Sequence, residues 1–228
     1  MDVVDVRPVE WLCLAKFGSA NRRLRGGSVN TSRNLIASCA VLLLLAGPMN
    51  AQVKYFPVGA FGDPKGSQEW IALYSKYLKA MKEPSLFDRS KAGPSQSYRF
   101  LWLRSFHKPV SVRLDIRNDG GADVTVKVGE APGVSALGGD VQKTTRTLSK
   151  REVDSFLDQI NSEGFWELPA QEEPVSGPDG ARWILEGARD SQYHVAHRWT
   201  PKDGRVKTLC LYLAVKLAQM KLANDEIY

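Results

Sequence analysis

From Val110 to Val128 apolar and polar residues alternate with a period of two, and the pattern breaks once, at Asn118-Asp119-Gly120-Gly121. Val110, Val112, Leu114 and Ile116 fall on one side, and Ser111, Arg113, Asp115 and Arg117 on the other. After the break Val124, Val126 and Val128 alternate with Thr125 and Lys127. Extended chain sends successive side chains to opposite faces, so this period predicts strands. Gly and Asn tolerate the positive φ of a tight turn, so the break predicts a hairpin. The chain is thereby committed to an antiparallel ribbon with one apolar and one wet face.

Four more strands follow from weaker patterns. Tyr98 to Ser105 shows little alternation and carries apolar residues on both faces, as a central or doubly covered strand does. Lys143 to Thr147 reads as a short polar edge strand. Ala181 to Ala188 and Tyr193 to Thr200 read as a second hairpin over residues 189–192. Three segments have helical spacing. In Gly66 to Lys82, Trp70, Tyr74, Tyr77, Leu78 and Met81 form one stripe, with Ser67 as the expected N-cap and Glu83-Pro84 as the stop. Residues 84–97 then read as a polar linker. Ser149 opens the next helix with a capping box to Glu152, and Gly164 is its expected stop. Val206, Leu209, Cys210, Leu213 and Leu217 make the stripe of a final helix over Arg205 to Leu222. Strands joined by short turns and flanked by helices predict an α+β fold, an antiparallel sheet of about six strands with helices packed on one side.

The N-terminal region has another logic. Leu35 to Gly47, LIASCAVLLLLAG, is an apolar run of 13 residues behind Arg33. A bilayer-spanning helix needs about 20 residues, and a buried core helix is the competing reading at this length. A charged flank, a short apolar core and a small residue at the end predict a secretory signal peptide. Cleavage between Ala51 and Gln52 puts Ala51 at −1 and Met49 at −3. Residues 1–32 make the leader over-long, and Val29 is a candidate for the true start. Ile36-Ala37-Ser38-Cys39 resembles a lipid-attachment motif, but the apolar run follows the cysteine instead of preceding it. The expected organisation is a leader over 1–51, an entry segment with one amphipathic helix and a linker over 52–97, and an α+β domain over 98–228.

Composition narrows the function. Of the 31 Lys and Arg, six lie in residues 1–51, with three of the 25 Asp and Glu; a net charge of +3 remains beyond them. That balance, without a polybasic block, is not the clustered basic footprint of a nucleic-acid-binding face. Cys210 is the one cysteine beyond the leader, so no internal disulfide is expected there. His194 and His197, three apart on a strand, point to opposite faces and make poor joint metal ligands. Cys210 sits on an apolar helical stripe, where a thiol behaves as a small hydrophobe. Glu172 and Glu173 read as a solvated turn. His194 and Arg198, on one face of their strand, are candidates to join Glu186 across the hairpin, or to form a solvated face with weak ion pairs. Gly-Val-Ser-Ala-Leu-Gly in the loop from Gly129 to Val141 has the wrong spacing for a nucleophile elbow, and no phosphate-loop motif occurs. No catalytic, cofactor or metal residue is assigned.

The segment TRTLSKREVDSFLDQINSEGFWELP, the WILEGARDSQYHVAHRW hairpin and the closing amphipathic helix resemble a group of exported bacterial α+β proteins without assigned function. The resemblance covers roughly residues 98–222 and implies a periplasmic or secreted protein; it transfers no catalytic residue. The expected function is a non-catalytic binding or interaction domain, with a protein or small-ligand partner in the cell envelope. The alternative is an exported hydrolase whose His194, His107 or Cys210 converges with acids in space. An uncleaved leader would instead anchor the protein in the inner membrane.

Overall fold

The computed structural model describes residues 53–130, 139–173, 176–223 and 227–228. The leader run, the cleavage residues Met49, Ala51 and Gln52, and most of the glycine loop lie outside them. Six strands form one antiparallel sheet: β1 (Gln96–Arg104), β2 (Val110–Ile116), β3 (Ala122–Val128), β4 (Gln142–Leu148), β5 (Ala181–Arg189) and β6 (Gln192–Trp199). Their order is β4-β3-β2-β1-β5-β6, so β1 lies inside the sheet and β4 and β6 are its edges. The helices are α1 (Pro64–Ala80), α2 (Leu86–Lys91), α3 (Lys150–Ser162) and α4 (Arg205–Leu211). The α+β class, the six antiparallel strands and both hairpins are as expected. No helix of the described residues is long and apolar enough to cross a membrane.

The sheet is covered on both faces, not on one. Tyr98, Phe100 and Trp102 of β1 share the first face with Trp183 and Leu185 of β5 and pack against Val153, Phe156 and Ile160 of α3 and Leu209 and Cys210 of α4. Leu101, Leu103, Ile184 and Val195 occupy the second face, under Tyr74, Tyr77 and Leu78 of α1. The physical reason is already visible in β1, which carries large apolar side chains in both phases. One layer of helices leaves half of them in water.

Local signals explain most element ends, with some corrections. α1 is capped by Asp63, whose carboxylate accepts from the N–H groups of Lys65 and Gly66. Ser67 lies one turn inside and accepts from the Phe61 N–H at 2.9 Å. Residues 84–97 are no plain linker: Ser85 caps α2, and Gln96 and Ser97 already pair in β1. The capping box of α3 is complete, with Arg146 donating to Glu152 at 2.7 Å. The backbone N–H and hydroxyl of Ser149, with Arg146, hold the Glu152 carboxyl at about 2. Gly164 ends that helix in the left-handed region, at φ 59°. The last helix is shorter than its apolar stripe. It passes at Tyr212 into a π-helical turn that ends at Leu217, and Gln219 at φ 54° turns the chain away.

Gly187 on β5 reveals how tightly the first face is filled. A Cβ there would lie 2.5 Å from Cε1 of Phe165 and 3.1 Å from Cε1 of Tyr98. The two rings occupy the space a side chain would need. Gly187→Val should lower unfolding free energy by about 1–3 kcal/mol, the usual cost of overpacking a core. Urea unfolding checks it, and an unchanged midpoint would show that the two rings yield without cost.

Candidate functional site

The second sheet face changes character along its length. Beside the apolar cluster under α1 lies a charged cluster built from β1, β2, β3 and β5 and roofed by the connection between α1 and α2. Register places Arg99 opposite Arg113 on one side and Glu186 on the other. Two adjacent arginines repel, so anions must sit among them. Glu83, just after α1, supplies one. Its Oε2 accepts from Nε of Arg113 at 2.8 Å and lies 3.6 Å from Nη1 of Arg99. Its Oε1 lies 3.0 Å from Nζ of Lys127. Glu186 supplies the other, accepting from Nε of Arg99 at 2.7 Å and from the Tyr193 hydroxyl at 2.8 Å. Arg113 also pairs with Asp115, which Arg89 reaches at 2.8 Å.

This cluster is sealed. The side chains of Arg99, Glu83 and Glu186 are 0% exposed. Burial pushes the Glu83 carboxyl up, but Arg99, Arg113 and Lys127 outweigh it and hold the group below its ordinary value. Burial pulls Arg99 down, and Glu186 with Glu83 more than restores its charge. Spare donors are used on the roof. Arg99 Nη1 donates to the Pro84 carbonyl at 2.7 Å, and Lys127 Nζ to the carbonyls of Met81 and Lys82 at 3.0 and 2.6 Å. The cluster is thus a latch holding the end of α1 on the sheet. The hairpin face expected to be wet is the floor of this latch, with Ser111 and Arg113 buried.

The histidines fall in three places. His197 faces α1 on the second face, with its Nε2 3.2 Å from the Tyr74 hydroxyl and its ring against Trp70 and Phe61. Its Nδ1 lies 3.5 Å from Nε2 of Gln171. Burial, with Arg182 and Arg198 nearby, holds its pKa at about 3. His194 is half-buried on the first face, against the rings of Phe165 and Trp166. The opposite orientation expected for the two histidines is observed. His107 Nδ1 meets the Tyr228 hydroxyl at 2.9 Å. Cys210 is buried in the main core, and burial pushes its thiol well above the ordinary value. Among the described residues no group of three or more His, Cys, Asp or Glu side chains is placed to hold a metal ion.

Glu186 does not join His194 and Arg198. Across the hairpin it pairs in register with Val195, so its side chain shares the face of Tyr193 and Val195, and the latch consumes it. Arg198 instead donates to Glu172 at 2.6 Å and to the Pro169 carbonyl at 3.1 Å. Glu172 is therefore half of an ion pair and not merely solvated. That pair borders an open groove of about 660 Å³ between residues 168–173, the end of β6 and the start of α4. Trp199, Lys202, Asp203 and Arg205 complete its rim. A smaller pocket of about 230 Å³ also reaches Trp199, lined among others by Leu73, Tyr77, Leu103, Arg104, Ser105 and Arg182.

Sequence patterning missed the latch, because Glu83, Arg99, Arg113, Lys127 and Glu186 are far apart in the chain. A usable signal existed: charged residues in the interiors of several strands, all in one phase. In comparison with known proteins, the chain matches no family model and no curated protein.

Two outcomes follow from this geometry. Arg99→Met leaves two carboxylates buried without their shared cation and should cost about 3–5 kcal/mol, while adding Glu186→Gln should recover a measurable part; denaturant titration of both variants checks it. His197 supports the fold only when neutral. Its contribution is fully present above about pH 6.5 and is lost as pH falls through about 3. His197→Gln should flatten the slope of stability against pH in that window, and an unchanged slope would assign the acid sensitivity elsewhere.

Proposed function

We propose that this protein is an exported, non-catalytic binding domain that acts in a bacterial periplasm or in the medium. The observation that carries this reading is the fate of its reactive groups. Glu83, Glu186, Arg99 and Cys210 are shut inside the fold. The residues that a scattered hydrolase site needs, His107, His194 and Cys210, are engaged with Tyr228, with Phe165 and Trp166, and with the main core respectively. Two open concavities share Trp199 in their lining and combine mixed charges with aromatic walls. Such surfaces hold a ligand by shape and a few polar contacts. The short apolar leader run and its small terminal residue support export.

One preparation tests both halves. Native host cells are fractionated, and the protein's intact mass and its labelling by fluorophosphonate and iodoacetamide are measured. The expected result is a chain beginning at Gln52 in the envelope or medium fraction, unlabelled in its folded state. A full-length chain in the cytoplasm would overturn export. Saturable, stoichiometric labelling of the folded protein would overturn the non-catalytic assignment.

A further inference from the structure

Arg182 is the one strand arginine on the second face that the latch does not explain. It lies in register between Leu103 of β1 and Trp199 of β6. Its guanidinium carbon is 4.5 Å from the ring centre of Trp70 and 4.7 Å from that of Trp199. Two indoles thus fix its position. Among the described residues it forms no ion pair with a carboxylate and donates no side-chain hydrogen bond, and its Nη1 is buried without a partner. Burial lowers its pKa, and the neighbouring groups that offset this are the phenols of Tyr74 and Tyr77, not acids. Arg182 is partly buried, and the buried cations described on this face are each answered by a carboxylate: Arg99 by Glu186, and Arg113 and Lys127 by Glu83.

A guanidinium offers a planar fork of donors that matches an oxyanion. Arg182 lines the pocket of about 230 Å³ with Leu73, Tyr77, Leu103, Ser105 and Trp199. Its lining is mixed: Leu73, Tyr77, Leu103 and Trp199 supply apolar and aromatic surface, and Arg104 is a second arginine at its edge. We infer that this pocket binds a carboxylate, with Arg182 as its counter-ion and the walls holding a small apolar body. Leu73, Tyr77 and Leu103 beside the guanidinium leave room for the apolar body of an organic acid, which inorganic phosphate lacks. A free organic acid and the C-terminus of a peptide share this chemistry. The inference rests on the binding reading above and narrows its ligand.

The test uses the purified full chain and calorimetric titration with N-acetyl-leucine, its amide N-acetyl-leucinamide, the free-acid tripeptide Gly-Gly-Leu and inorganic phosphate. The acid should bind at least tenfold more tightly than the amide, and phosphate should not displace it. Arg182→Gln, checked by circular dichroism, should bind acid and amide alike. Tighter binding of the tripeptide than of N-acetyl-leucine assigns the site to a peptide C-terminus; the reverse assigns it to free acids. Equal affinity of wild type for acid and amide overturns the inference, and this arm needs no variant to fold. An acid preference that survives in folded Arg182→Gln overturns it as well. Neither failure touches the non-catalytic reading, which stands or falls on the labelling experiment.

Discussion

Arg99 lies at the centre of the sheet with no access to water, and the second face is arranged around that fact. A buried guanidinium is tolerated only when anions and acceptors surround it. Here Glu186 comes from the neighbouring strand, Glu83 from the end of α1 and a carbonyl from Pro84. The last two are available only if α1 is docked and the chain turns as it does at 81–84. The charge thus ties the end of α1 to the strands beneath it. Replacing such a cluster by apolar groups is often neutral or stabilising, so its value lies less in net stability than in geometry. An apolar patch would accept α1 at several offsets. Three cations converging on Glu83 accept it at one.

The rest of the architecture follows from a sheet with two dry faces. α3 and α4 close the first face through Phe156, Leu209 and Cys210, and α1 closes the second through Tyr74 and Leu78. Because β1 and β5 are covered twice, their aromatic residues anchor the first layer, and Leu101, Leu103 and Ile184 anchor the second. Where the end of β6 meets residues 168–173, 177–180 and 200–206, two concavities open. Trp199 lines both.

Much of the fold was legible because its signals are local. Asn118 to Gly121 forces a turn, Ser149 and Glu152 satisfy each other's backbone, and Gly164 supplies a left-handed stop. Each acts over a few residues and survives whatever surrounds it. The apolar phases of β1 also announced a doubly covered strand, which conflicts with helices on one side only; the strand was the better guide. The candidate site was less legible. Arg113 and Lys127 looked solvated because alternation reports only that a face is polar, and not whether another element lies over it. Glu186 was matched to the wrong partners because its neighbour in space, Arg99, comes from β1 and not from its own hairpin.

By itself, then, the sequence determined the strands, the hairpins, the capping box and glycine stop of α3 and the α+β class, since these depend on backbone conformation and hydrophobic period within short windows. Tertiary structure alone decided that the polar face of the first hairpin is dry, that α1 covers the second face, and that Arg182 stands between Trp70 and Trp199 without a carboxylate. Those outcomes depend on which distant side chains share one dehydrated space. Charges interact strongly there because water no longer screens them, and no period in the chain encodes that proximity.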